Sequence, residues 1–347
     1  VRTAFLFTGQ GSQYPRMALP LRERHPEFRD RLAECDRLFR AHLDVSVADL
    51  MLRDRVRTDN GAEHDAETLL ARTAYQQPAL FAFEYALAGL WLAHGVRPDA
   101  VLGHSIGEIA AAAVAECLSL PDAVRLVAAR GRLMQELEEP GAMLAVAAGV
   151  DRVRPVVEEL ELAAVLSFAA INAPDRCVLS GSPDAVTTAA AALRDRKMPS
   201  TRLKVSHAFH SPLMAPAAHA LGAIVAELRF TEPRCALISA LDGGQPDAAE
   251  LSRPQHWVRH CLEPVDFAAA VRTAAARGPL RFVEIGPSHT LLKFGQRCAP
   301  DPGHLWLRSA APGDDDCRTF TAALARAAEP ADVCNDAPRQ SPIGAGS

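Results

Sequence analysis

Short apolar runs alternate along the chain with longer stretches whose apolar positions recur at helical spacing, the arrangement expected of a parallel sheet flanked by helices. Residues 5–7, Phe-Leu-Phe, form the first run and predict a buried strand. Thr8-Gly9-Gln10-Gly11-Ser12 ends it, its glycines permitting a tight turn and close backbone approach. A long, largely apolar helix is predicted over 78–93, and Gly95 stops it as a C-terminal glycine does. Ala100-Val101-Leu102 predicts a second strand, which runs through Gly103-His104-Ser105-Ile106-Gly107 into an alanine-rich helix starting near Glu108.

The texture changes at about Leu137. A strand over 142–148, a helix over 150–160, a hairpin of 165–172 and 177–180 turning at Pro174-Asp175, a helix over 183–197 and a strand over 201–205 follow in turn. Their β-α-β-β-α-β order is the ferredoxin-like pattern. From Ser211 helices resume, with a further strand over 281–285 and the turn Gly286-Pro287-Ser288. The expected organisation is a larger α/β domain with a parallel sheet, formed by 1–136 and 206–328, interrupted by a small ferredoxin-like α+β insertion at 137–205. Residues 329–347, polar and carrying Pro330, Pro338 and Pro342, read as a C-terminal linker. No internal repeat is apparent.

Length and composition narrow the function. The 347 residues allow about two structural units, and 49% hydrophobic content excludes disorder. A net charge of -5 argues against a general nucleic-acid binder, and 5% aromatics against a stacking platform for single strands. Eight cysteines include no CxxC pair, so no metal site is expected, and without a secretory signal they read as reduced thiols in a cytosol. The apolar stretch 109–115 is far short of the ~20 residues that span a bilayer, so no membrane partner is expected. The start at Val1, without methionine, reads as a segment of a longer polypeptide.

Gly103-His104-Ser105-Ile106-Gly107 matches G-x-S-x-G, the nucleophile elbow that makes the larger domain hydrolase-like. A serine on a sharp strand-to-helix turn is thrust out of the sheet, and the following helix supplies N–H groups and a positive dipole end suited to an oxyanion. The same residues, Ser105 to Glu108, also read as an S-x-x-E capping box. A serine nucleophile needs a base, and His207 and His210 lie where the chain re-enters the larger domain. The residues alone do not choose between these two histidines. Arg130, in Ala128-Ala129-Arg130-Gly131-Arg132, is either a solvated helix end or a guanidinium able to grip a carboxylate with paired charge-assisted bonds.

Taken together and in order, Thr8-Gly9-Gln10-Gly11-Ser12-Gln13, Gln77-Pro78-Ala79-Leu80, Gly103-His104-Ser105-Ile106-Gly107-Glu108, Arg130, Asn172-Ala173-Pro174 and His207-Ala208-Phe209-His210-Ser211 are similar to the acyltransferase family. This family holds malonyl-CoA:acyl-carrier-protein transacylases and the acyltransferase domains of polyketide synthases, and the likeness runs over 3–292. The chain resembles a type I synthase domain more than a free-standing transacylase. The resemblance makes Ser105 the acylated nucleophile, His210 the general base, and the N–H groups of Gln10 and Ile106 the oxyanion hole. It makes Arg130 the clamp on the substrate carboxylate and implicates His207 and Phe209 in the specificity pocket, with Gln77 and Asn172 in supporting places. His207-Ala208-Phe209-His210 resembles the malonyl-type motif, as does Ile106 after the nucleophile. A backbone carbonyl orients the histidine in this family, and the loop at Gly286-Pro287-Ser288 is where it is expected.

The implied activity is ping-pong transfer of malonyl from malonyl-CoA, through a malonyl-Ser105 ester, to the phosphopantetheine thiol of an acyl carrier protein. No permanently bound cofactor is expected. The partners would be that carrier protein and neighbouring synthase domains. One rival is a serine hydrolase or thioesterase, for which Asp175 and Asp184 are available as the acidic member. Another is a non-catalytic scaffolding domain of a megasynthase.

Overall fold

The computed structural model describes residues 2–310 and 316–329. The linker expected at 329–347 lies outside the described residues except for Glu329.

Five strands form a parallel sheet: β1 (Arg2–Phe7), β4 (Ala100–Gly103), β9 (Ala236–Ile238), β10 (Leu280–Ile285) and β11 (Leu305–Arg308), in the order β11-β10-β1-β4-β9. Helices cover both faces of such a sheet, so its strands read as unbroken apolar runs; Ala4 to Phe7 are fully buried. The strand order reverses at β1, where Phe7 pairs with Gly103 on one side and Ile285 on the other. The loops leaving β1, β4 and β10 therefore emerge together at the carboxyl edge, where open α/β sheets bind their ligands.

The helix predicted over 78–93 begins five residues earlier, as Thr73–Ala93, with Pro78 inside it. Its start is fixed from outside the local sequence, because the Thr73 N–H donates to Gln135 Oε1 at 2.8 Å. A hairpin of β2 (Arg55–Arg57) and β3 (Glu63–Asp65) precedes it.

The second sheet contains β5 (Ala142–Val146), β6 (Leu166–Ala173), β7 (Arg176–Gly181) and β8 (Ser200–Arg202), all pairs antiparallel. Its order, β8-β5-β7-β6, is the fourth-first-third-second arrangement of a β-α-β-β-α-β unit. Helices Val150–Glu159 and Pro183–Asp195 pack with it into a separate apolar cluster that includes Leu144, Val153, Leu179 and Leu193. β8 is shorter than the 201–205 expected: after Leu203 donates to the Met143 carbonyl at 2.9 Å, the chain leaves for the larger domain. At this crossing the Gly141 N–H donates to Ser206 O at 2.9 Å. A Cβ on Gly141 would lie 1.9 Å from Ala208 N, so only glycine allows the two passing segments to touch. The molecule is thus a hydrolase-like α/β domain with a smaller ferredoxin-like unit. No helix among the described residues is long and apolar enough to cross a membrane.

Candidate active site

Ser105 stands between the end of β4 and the helix Gly107–Val114, in the left-handed region at φ +53°. The capping-box alternative is not formed, since the helix begins without a side-chain cap. The Glu108 carboxylate turns away instead and accepts from Ser239 Oγ at 2.6 Å and Ala240 N at 2.9 Å. That leaves the Ser105 hydroxyl unclaimed by its own helix. It donates to His210 Nε2 at 2.7 Å, and both residues are buried.

The choice between the two histidines is resolved by geometry. His207 donates from Nε2 to the Leu137 carbonyl at 3.1 Å and accepts at Nδ1 from Ser206 Oγ at 2.8 Å. Both its ring nitrogens are committed to the crossing between the two sheets. Phe209 is buried with its ring centroid 6.1 Å from that of His207.

His210 donates from Nδ1 to the carbonyl of Glu263 at 3.0 Å, which fixes the tautomer that leaves Nε2 free to accept. The expectation that the loop at Gly286-Pro287-Ser288 supplies this carbonyl is corrected. Glu263 follows the helix Pro254–Leu262 in extended conformation, so its carbonyl lies outside the helical ladder and can turn to the ring. The Gly286 loop presses on Thr8 instead, where a Cβ on Gly286 would come within 2.3 Å of the threonine side chain. Among the described residues no carboxylate is bonded to His210. Asp175 pairs with Arg176 and Arg297, and Asp184 lies in the first turn of the helix Pro183–Asp195. Burial, then the charge of Arg130, then His260 and His104 hold the His210 pKa well below 6.5, so the ring is neutral near pH 7.

Arg130 lies inside the helix Leu120–Gln135 with 2% of its surface exposed, so the solvated-helix-end alternative falls. Its Nη2 donates to Ser105 Oγ at 3.1 Å, while Nε and Nη1 have no hydrogen-bond partner among the described residues. No carboxylate pairs with it among the described residues. A buried guanidinium left this way is costly, and its Nη2 touches the nucleophile.

The N–H groups of Gln10 and Ile106 donate to nothing among the described residues. The Gln10 side chain is gripped by Gln76 and by Gln77, whose Nε2 donates to Gln10 Oε1 at 3.1 Å. Asn172 Oδ1 accepts from His104 Nε2 at 2.8 Å, and His104 in turn backs Gly9, where a Cβ would lie 2.9 Å from its ring and carbonyl. Ser105, His210 and Arg130 are therefore in direct contact, whereas Gln77 and Asn172 support the neighbouring loops.

Sequence reasoning missed Glu263, which acts through its backbone, and a buried group behind the elbow. His256 and His260 face Glu108 at 3.8 Å each, and the His260 ring stands 6.4 Å from that of His210. Burial pushes His260 down to about 4, only partly offset by Glu108. The His256–His260 spacing of four, which puts both rings on one helix face, is the signal that could have found them. No group of three or more metal-ligating side chains forms among the described residues.

The family described as "Acyl transferase domain" matches residues 4–304. The acyltransferase domain from the second module of the salinomycin polyketide synthase is 40% identical with a TM-score of 0.85, covering 94% of this chain and 73% of that one. A malonyl-CoA:acyl carrier protein transacylase from Xanthomonas oryzae pv. oryzae is 33% identical with a TM-score of 0.81, covering 92% and 98%. Among curated relatives, the PKS-NRPS hybrid synthetase ATPKS of Aspergillus niger is 39% identical over 330 residues, 91% of this chain and 17% of that protein. The spectinabilin polyketide synthase system protein NorB of Streptomyces orinoci is 40% identical over 328 residues, 93% and 15%. The chain spans less than a fifth of the length of these curated relatives.

Proposed function

The chain belongs to the acyl transferase domain family, and from that premise we propose that it moves malonyl from malonyl-CoA, by way of an ester on Ser105, to the phosphopantetheine thiol of an acyl carrier protein in a polyketide synthase. The observation that carries this reading is Arg130: a buried cation without a carboxylate partner among the described residues, in contact with the nucleophile. A malonyl thioester brings the missing carboxylate, and once it binds, Nη2 is released to form a two-pronged grip with a neighbouring donor. Acetyl-CoA would leave the guanidinium unpaired, which is a basis for rejection.

In the first half-reaction the Ser105 hydroxyl proton passes to His210 Nε2 as Oγ bonds to the thioester carbonyl carbon. The carbonyl oxygen becomes an oxyanion between the N–H groups of Gln10 and Ile106, at the positive end of the helix Gly107–Val114. Collapse breaks the carbon–sulfur bond, and the departing coenzyme A sulfur takes the proton from His210. The second half-reaction runs the same steps in reverse with the carrier protein's thiol, His210 first taking the thiol proton and then returning it to Ser105. The Glu263 carbonyl keeps Nδ1 protonated and stabilises the imidazolium that forms in each half. Phe209 and Ile106 occupy volume that an α-methyl branch would need, so malonyl is preferred over methylmalonyl. The Glu263 carbonyl, in place of a carboxylate behind His210, favours a transferase over the hydrolase alternative. Neighbouring synthase domains are the remaining partners of this reading.

The test is incubation with malonyl-CoA and mapping of the adduct by mass spectrometry. Malonyl is expected on Ser105 and absent from Ser105→Ala, and its transfer should be faster to a carrier protein than to water. An adduct that persists on the alanine variant sinks the assignment.

A further inference from the structure

The helix Thr73–Ala93 buries a carboxyl for which the reaction above has no use. Glu84 is fully buried, and no arginine, lysine or histidine pairs with it among the described residues. Such burial is unfavourable unless the group is hydrogen-bonded or neutral. Its Oε1 accepts from the Thr8 hydroxyl at 2.5 Å. Thr8 Oγ1 in turn lies 3.2 Å from Ser12 Oγ, which also reaches the Gly9 carbonyl at 3.0 Å. The hydroxyls at the two ends of the 8–12 turn are thus joined to each other and to one acid beneath, and Gln10 sits at the turn's tip.

Two glycines hold the turn from other sides. A Cβ on Gly286 would meet Thr8 at 2.3 Å, and one on Gly107 would meet the Phe7 and Thr8 carbonyls at 2.5 Å. Thr8 therefore has little room to shift while its hydroxyl stays on Glu84. Burial, only partly offset by the Thr8 hydrogen bonds and reinforced by nearby Glu284, raises the Glu84 pKa well above the carboxylate range. Its Oε2 has no hydrogen-bond partner among the described residues, so the group holds the turn through Oε1 alone.

We propose that Glu84 is a positioning residue: through the Thr8 hydroxyl it fixes the 8–12 turn, and so aims the Gln10 N–H at the oxygen that becomes negative when Ser105 is acylated. The proposal rests on Ser105 as nucleophile and Gln10 as oxyanion donor, but not on the identity of the acyl group.

The closing experiment follows acylation of Ser105 by malonyl-CoA and, separately, its phosphonylation by a fluorophosphonate probe, whose phosphonyl oxygen needs the same donors. Inactivation rate and probe affinity are measured separately on the full chain. Thr8→Val and Glu84→Leu are each expected to slow maximal inactivation by at least ~10-fold with affinity within about twofold, because only the charge-developing step uses the turn. Glu84→Gln, which keeps one acceptor oxygen, should stay within about threefold of the original chain, and the double variant Thr8→Val/Glu84→Leu should be no slower than the slower single. The proposal is overturned if Thr8→Val leaves the inactivation rate unchanged, if Glu84→Gln falls as far as Glu84→Leu, or if the two single losses multiply. Should Glu84→Leu fail to fold, Thr8→Val and Glu84→Gln decide the matter. If malonyl-CoA fails to acylate Ser105 while the probe pattern holds, the malonyl reading falls and Glu84 keeps its role.

Discussion

Removing the Arg130 guanidinium should collapse discrimination between malonyl and acetyl donors. The residue is 2% exposed, Nε and Nη1 have no partner among the described residues, and Nη2 rests on the Ser105 hydroxyl. A hydrogen bond to a charged group contributes ~1.5–3 kcal/mol, so a two-pronged grip on malonyl is worth ~3–6 kcal/mol before desolvation is subtracted. A net ~3–4 kcal/mol corresponds to a loss of ~10²–10³ in kcat/KM for malonyl-CoA in Arg130→Ala. The contact between Nη2 and Ser105 is lost for both donors and cancels in their ratio. For acetyl-CoA, which leaves the guanidinium unpaired, the substitution should be neutral or favourable after that common term is removed. Arg130→Lys keeps the charge but not the planar fork, and should fall between. The assay is competition between equimolar malonyl- and acetyl-CoA, scored as the ratio of acyl-serine masses on the intact protein. A ratio for Arg130→Ala within about threefold of the original refutes the clamp, because the geometry demands a change at least ten times larger.

The other expectations concern the base, the pocket and the elbow. His210 must be neutral to accept the serine proton, and its pKa is held well below 6.5; acylation should therefore stay level down to about pH 6.5 and fall only in more acid solution, whereas an inflection at or above 6.5 would contradict the burial argument. Phe209→Ser opens buried volume near the site, and since one methyl is worth ~1–3 kcal/mol, the methylmalonyl-to-malonyl ratio should rise by about tenfold; an unchanged ratio in the same competition counts against Phe209 as the barrier. Gly107→Ala drives a Cβ to 2.5 Å from the Phe7 and Thr8 carbonyls, backbone atoms that cannot rotate away, so thermal unfolding should move down by a few degrees, about 1–3 kcal/mol; an unchanged midpoint would show that the helix can retreat.

What was legible in the sequence follows from how far each signal reaches along the chain. β1 and β4 announce themselves because a strand buried on both faces is a bare apolar run. The small sheet does so because its two hairpin strands meet over Pro174-Asp175. β9, with three residues, and β11, with four, are too short to carry a period. The start at Thr73 was hidden because its N–H is satisfied by Gln135, 62 positions away. At the site, Ser105, His210 and Arg130 were legible as motif residues, but the group that orients His210 was not. A backbone carbonyl leaves no trace in residue identity, so Glu263 could be found only from the extended turn its helix makes at that point. Glu84 is a lone acid in an apolar helix, and its meaning depends on Thr8, under which only the fold brings it.

The elbow's glycines serve close packing rather than an unusual backbone conformation. Neither Gly103 nor Gly107 has a positive φ; they are small because neighbouring backbone leaves no room, a Cβ on Gly103 lying 2.1 Å from Glu108 N. The left-handed conformation falls instead on Ser105 at φ +53° and on His210 at φ +56°. The other described non-glycine residues with positive φ are Arg16, Glu116, Glu161 and Lys197, all exposed. Glu116, Glu161 and Lys197 each lie within two residues of the end of a helix, where a left-handed residue closes the last turn. That explanation fails for Ser105, which precedes its helix, and for His210, which follows no helix. Each such residue costs on the order of 1–2 kcal/mol. The cost persists because the surroundings over-determine both: His104 N–H donates to Phe7 O at 2.9 Å and Glu108 N–H to Ser105 O at 2.9 Å, while Ser211 Oγ donates to Ala208 O at 2.7 Å. Strain held this way turns two side chains, 105 positions apart, out of their own local structure and onto each other at 2.7 Å. A relaxed backbone at either residue would return its side chain to its own segment, so the strain belongs to the reacting pair itself.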